Sequence, residues 1–137
     1  MVEISVEYLG KTSCRAVHGP SGQNLRTTAP KDNGGDGSTF SPTDLLATSL
    51  GTCVITIMAM AAERRGIDLT GATVTVEKHM TTEAPRRIAR LPVRIKLPIR
   101  LKPEDQRLLE AAGHGCPVHR SIHPDIDSPI TLEMPAG

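Results

Sequence analysis

The sequence predicts an α+β fold, with a largely antiparallel sheet packed on one long central helix. Two observations carry this. Short runs of alternating apolar and polar residues are separated by turn residues, so strands outnumber helices and come in hairpin-like groups. One stretch alone, Ser41 to Arg65, keeps helical spacing from end to end. At 137 residues the chain is expected to form a single domain over residues 1–137, without repeats, linkers or low-complexity tracts.

The central helix is read from its ends and its apolar face. Ser41 can serve as N-cap, Pro42 suits the first helical position, and Asp44 stands where the acidic arm of a capping box would stand. Leu46, Leu50, Cys53, Val54, Ile57, Met58 and Ala61 recur at helical spacing. From Cys53 to Ala62 the segment is apolar nearly all round, so burial on most sides is expected. Gly66 is well placed as the C-cap. The run Leu45 to Ala62 is long enough to span a membrane, but Thr48, Ser49, Gly51, Thr52 and Thr56 dilute it, and the core-helix reading is preferred.

The other elements follow in order. Val2 to Leu9 alternates as a half-buried strand, with Val2, Ile4, Val6 and Tyr8 on one face, and Lys11 to Val17 pairs back after Gly10. Cys14 is read as a small half-buried side chain, and His18 as a turn residue. Asn24 to Thr28 makes a short third strand, and Pro30 to Phe40 is a glycine-rich loop without the spacing of a phosphate-binding loop. Ala72 to Met80 alternates with Val74 and Val76 inward. Ile88 to Leu101 alternates further, with Arg90, Arg94, Lys96 and Arg100 on its polar face. Pro92 and Pro98 cannot donate to a ladder, so this strand is expected to be bent or to lie at an edge, its charge guarding that edge. A shorter helix runs from Pro103 to Ala112, closed by Gly113. Cys116-Pro117 opens another, and Ser128 to Met134 is a last strand.

Composition narrows the function classes. The chain has one Phe, one Tyr and no Trp, so its core must come from aliphatic residues. A core this thin points to an oligomer, a two-fold dimer by preference. A net charge of +1 gives no general sign of nucleic acid or a membrane surface as partner. No leader pattern is read at the N-terminus, and three cysteines in that context are expected to occupy a reducing, cytoplasmic setting.

Two thiols stand out by their settings. Cys116, at a helix N-terminus with His114 and His119 near it, is where a thiolate would be favoured. Cys53, inside an apolar helix, becomes reactive only if a cation reaches it through the fold. Three readings follow. The thiols form a redox pair in which a sulfenic acid is resolved as a disulfide. Alternatively, His114, Cys116, His119 and His123, with Cys53, ligate a metal, since a helix would put His119 and His123 on one face. Or both cysteines are structural, which is the leading reading from spacing alone.

The segment SPTDLLATSLGTC at Ser41 to Cys53, with CPVH at Cys116 to His119 far downstream, resembles the OsmC/Ohr superfamily of osmotically induced and organic hydroperoxide resistance proteins, in its OsmC-like branch. Gly34, Gly35 and the order of elements agree, and the resemblance covers nearly the whole chain. It implies an intertwined homodimer, sheets wrapped on two central helices, and a site at the dimer interface holding both cysteines. It also implies reduction of organic hydroperoxides, with Cys53 peroxidatic and Cys116 resolving, and regeneration by a dithiol, notably a lipoylated protein. No cofactor and no metal are implied. Two departures are visible. Thr43 stands where the hydroperoxide-resistance branch has a glutamate, with the acid one residue later at Asp44. No arginine lies in His18 to Gly22, so Arg15 and Arg26, which flank it, become the candidates for holding the thiolate. The alternative function is a non-enzymatic protein binding a small ligand or metal in the interface pocket.

Overall fold

A computed structural model describes residues 1–136. The chain forms two compact units, Met1–Leu46 and the residues from Ala47 onward. The N-terminal unit is a three-stranded antiparallel sheet, β1 (Ile4–Gly10), β2 (Ser13–His18) and β3 (Asn24–Thr28), paired in that order. Register puts Ile4, Val6, Tyr8, Cys14, Ala16 and Leu25 on one face and Glu7, Arg15 and Arg26 on the other. The apolar face is not half-buried as the alternation predicts. Ile4, Val6 and Tyr8 are 54%, 66% and 66% exposed. The glycine-rich segment begins with a short 3₁₀ turn, Lys31–Asn33, and folds back on β3, where Thr28 N–H donates to the Phe40 carbonyl at 3.1 Å.

Helix α1 (Pro42–Glu63) begins and ends where its caps predict. Asp44 N–H donates to Ser41 Oγ at 3.1 Å, and Ser41 N–H donates to Asp44 Oδ2 at 2.9 Å, a reciprocal capping box. At the other end Gly66 has φ 71°. Gly66 and Ile67 N–H donate to Glu63 and Ala62 carbonyls at 3.0 and 2.9 Å, the paired bonds of a Schellman stop. The helix is long and apolar enough to cross a membrane by length and composition. One face only is buried, through Ala47, Leu50, Gly51, Val54, Met58 and Ala62, while Thr48, Thr52, Thr56 and Met60 remain exposed. The expected burial on most sides is therefore not met within one chain.

The second unit's sheet has the order β4 (Thr73–Val76), β7 (Val93–Lys96), β8 (Ile130–Glu133). The β4–β7 pair is antiparallel and β7–β8 parallel. A separate hairpin joins β5 (His79–Met80) and β6 (Ile88–Arg90). The expected strand Ile88 to Leu101 is bent, as its prolines predict, into two strands broken at Leu91-Pro92, and of these β7 is central in its sheet rather than at an edge. The prolines sit just outside the ladder, which continues through Leu91 and Leu97 N–H on the Asp127 and Glu133 carbonyls, both at 2.8 Å. Leu91, Val93, Ile95 and Leu97 form the buried row. The basic face does not guard an edge. Arg90 pairs with Asp127 at 2.9 Å, Arg94 with Glu133 at 3.4 Å, and Arg100 donates to the Pro135 carbonyl at 2.6 Å. Helices α2 (Pro103–His114) and α3 (Pro117–Ser121) complete the unit. α2 runs past Gly113, which lies inside it, to a cap at Gly115.

Gly51 holds α1 against β4: a Cβ there would stand 2.8 Å from Val76 Cγ2 and 3.4 Å from Val74 Cγ1. Gly51→Val is expected to destabilise the protein by about 1–3 kcal/mol through overpacking. Denaturant unfolding checks this, and an unchanged midpoint would show that the helix does not lie this close to the sheet.

Candidate functional site

Cys53 lies halfway along α1 and is half-buried. What reaches it is set by how α2 packs on α1. Gly113 has no side chain, and a Cβ there would lie 3.3 Å from both Val54 Cγ1 and Met58 Sδ. At the far end Arg65 Nε donates to the nearly buried Asp105 Oδ1 at 2.5 Å, with Glu104 3.6 Å from the guanidinium. The two helices therefore run antiparallel, clamped by an ion pair at one end and by a glycine contact at the other. The chain stops at Gly115, whose N–H donates to Ala111 and Ala112 carbonyls, and turns into α3. Cys116 caps α3 as its spacing to Pro117 predicts, its Sγ accepting from His119 N–H at 3.3 Å.

This turn delivers the Cys116 thiol to within hydrogen-bonding reach of the Cys53 thiol. The pair is asymmetric: Cys116 is completely buried and Cys53 partly exposed. Burial pushes the Cys116 thiol above its ordinary range, and the adjacent Cys53 sulfur adds to this. The His119 and Val118 N–H groups oppose the shift without outweighing it. The helix-terminus expectation of a Cys116 thiolate is thus overturned, because desolvation wins over the N–H groups of a five-residue helix. The buried Cys116 thiol is pushed up, with the Cys53 sulfur as its neighbour.

The other predicted residues have definite places in the N-terminal unit. Asp44 is the acidic arm of the capping box. Arg15 and Arg26 stand directly opposite each other in the β2–β3 ladder. Arg15 pairs with Glu7 at 2.6 Å, and Arg26 donates to Ser38 Oγ at 3.4 Å. The alternative of a metal cluster at His114, Cys116, His119, His123 and Cys53 is not assembled: among the described residues no three His, Cys, Asp or Glu side chains converge to hold an ion. α3 ends at Ser121, before His123, so His119 and His123 do not share a helix face, and His123 Nδ1 accepts from Asp125 N–H at 3.0 Å. The contact of His119 with Cys116 through its backbone was not read from the sequence, although its place three residues after an N-cap was the available signal.

An α+β chain with a thiol inside its long helix and a second, buried thiol brought to it defines a protein with a paired-thiol site. The model of the OsmC-like protein family matches residues 35–131, and the chain belongs to that family. A Psychrobacter arcticus protein, provisionally assigned to osmotic stress induction and detoxification response, is 38% identical, with a TM-score of 0.92 and 97% and 96% of the two chains covered. The organic hydroperoxide resistance protein OsmC of Legionella pneumophila shares the fold at 16% identity and a TM-score of 0.79, over 97% and 96% of the chains. The organic hydroperoxide resistance protein OhrB of Bacillus subtilis does so at 13% and 0.74, over 97% and 98%. No curated protein matches the sequence.

The raised Cys116 thiol has a consequence for stability. The unfolded thiol ionises around its ordinary value of 9.0, while the folded one holds its proton to higher pH. Between those two points the folded state binds more protons, so this stability is complete below about pH 9 and is lost as pH rises above it. Relative to Cys116→Ala, the reduced wild-type protein should lose stability progressively as pH rises above about 9 in denaturant titrations. A constant difference as pH rises would show that Cys116 is not desolvated.

Proposed function

We propose that this protein is a thiol-dependent peroxidase acting on organic hydroperoxides, working through Cys53 and Cys116. The observation that supports it is the contact between a partly exposed thiol and a fully buried one. Only the exposed partner can meet a substrate from solution, which favours Cys53 as nucleophile. Its thiolate attacks the outer oxygen of the hydroperoxide, the O–O bond breaks, and the alkoxide takes a proton to leave as alcohol. Cys53 is left as sulfenic acid. Cys116 then attacks the Cys53 sulfur, the S–O bond breaks, and the thiol proton leaves with hydroxide as water. A dithiol, of the kind carried by lipoylated proteins, reduces the resulting disulfide and is itself oxidised to a disulfide.

Membership of the family and the fold shared with organic hydroperoxide resistance proteins support the substrate class. The setting is a reducing cytoplasm, where a catalytic disulfide is transient. The working unit is a homodimer. The uncovered apolar face of β1–β3 and the exposed side of α1 are the surfaces a second copy would cover. Arg15 and Arg26 are the candidate cations for the Cys53 thiolate, and Asp44, at the start of α1, is the candidate acid.

Mass spectrometry of the reduced protein after one equivalent of an organic hydroperoxide, with hydrogen peroxide in parallel, tests this reading. The expected product is a Cys53–Cys116 disulfide formed faster with the organic substrate. Cys116→Ser should stop at a Cys53 sulfenic acid that a dimedone-type probe captures, and Cys53→Ser should lose turnover by at least a hundredfold, on the order expected when a nucleophile is removed. Full turnover in Cys53→Ser would end the proposal. Sedimentation should give twice the chain mass, and a monomer at micromolar concentration would refute the dimer.

A further inference from the structure

We infer that His119 is a positioning residue for the second thiol: its imidazole ties the turn that carries Cys116 to the segment leading into β8, and so keeps the residue 119 N–H on the Cys116 sulfur. The inference deepens the two-cysteine reading and rests on it. The geometry is a relay of three hydrogen bonds. His119 N–H donates to Cys116 Sγ at 3.3 Å. The same residue's Nε2 lies 3.4 Å from the Ser128 carbonyl, which can only accept, so Nε2 carries the proton. Ser128 Oγ donates to the Leu91 carbonyl at 2.9 Å, and Leu91 is completely buried beside the central ladder. The turn holding Cys116 is therefore anchored to the sheet through one imidazole.

The anchor is needed because α3 has little else to hold it. It is a single short helix with no fully buried residue of its own. His119 is half-buried, and its ring meets His114 edge-to-face at 5.6 Å, which supports the same orientation from the end of α2. The ionisable or charged groups around Cys116 are Cys53 from α1, His114 from α2, and His119 and Arg120 on α3. Arg120 Nε is engaged by the Gly115 carbonyl at 3.1 Å, and Asp127, on the segment leading into β8, by Arg90 at 2.9 Å. Backbone N–H groups of His119 and Val118 face the Cys116 sulfur, and the His119 N–H is the stronger of the two in favouring its ionised form. If the ring lets go, that N–H drifts, and the attacking thiolate loses its main stabilising donor.

The test separates this from peroxide chemistry by using oxidised glutathione. The Cys53 thiolate attacks the glutathione disulfide and releases one glutathione. The Cys116 thiolate then attacks Cys53 in the mixed disulfide, closing the protein disulfide and expelling the second glutathione. Closure is followed by acid quench and mass spectrometry across pH in wild type, His119→Leu, His119→Ala and His119→Gln. Losing a donor to an ionised sulfur moves its pKa by on the order of one unit, about tenfold in thiolate at neutral pH. His119→Leu and His119→Ala should close about tenfold more slowly at neutral pH, with the pH profile displaced upward by about one unit. His119→Gln, whose amide can donate to the Ser128 carbonyl, should restore both rate and profile. Wild-type closure in the Leu and Ala variants, slowing by the same factor at every pH, or no rescue by Gln overturns the inference, as does failure of wild type to close. If closure behaves as expected while hydroperoxide is not consumed, the peroxidase reading fails and the role of His119 stands.

Discussion

The approach of α2 to α1 at Gly113 is the contact on which the candidate site depends. A glycine in a helix interior costs about 1 kcal/mol relative to alanine. Here the missing side chain lets the helix pack directly on Val54 and Met58, with a Cβ position only 3.3 Å from each. Val54 adjoins Cys53, and Gly113 is three residues before Cys116. A wider helix spacing would leave both thiols in place on their own elements and out of reach of each other. The Arg65–Asp105 pair fixes the opposite end of the same packing, so two distant contacts determine where one turn of chain deposits its sulfur.

Burial then divides the labour between two chemically identical groups. Cys116 is sealed from solvent and its thiol is pushed up. Cys53 has solvent on one side and the Cys116 thiol on the other. The local argument from helix termini pointed the opposite way. Backbone N–H groups at a short helix are a modest stabiliser, while complete desolvation of a thiolate is a larger penalty.

The legible parts of the sequence were those written locally. The capping box of Ser41 and Asp44, the glycine stop at Gly66, the strand Asn24–Thr28 and the N-cap at Cys116 depend on residues within a few positions of each other, and each was readable from them. The misread parts depend on neighbours far along the chain. The row Arg90, Arg94, Arg100 looked like a guarded edge because its partners Asp127, Glu133 and the Pro135 carbonyl come from a parallel strand that periodicity cannot place. The all-round apolar helix and the alternating first strand announced a burial that the chain by itself does not show, because periodicity records an apolar face and not what covers it. The thiol pairing itself was carried by resemblance to a family, since no spacing rule relates residue 53 to residue 116.

The N-terminal sheet has a further implication, for what this segment can do when separated from the rest. No hydrophobic side chain before Ala47 is buried among the described residues. Residues 1–46 therefore bring paired strands but no apolar interior of their own, and three strands without a covered face are marginal in water. Cut from the remainder of the chain, such an apolar ribbon would aggregate sooner than it would fold.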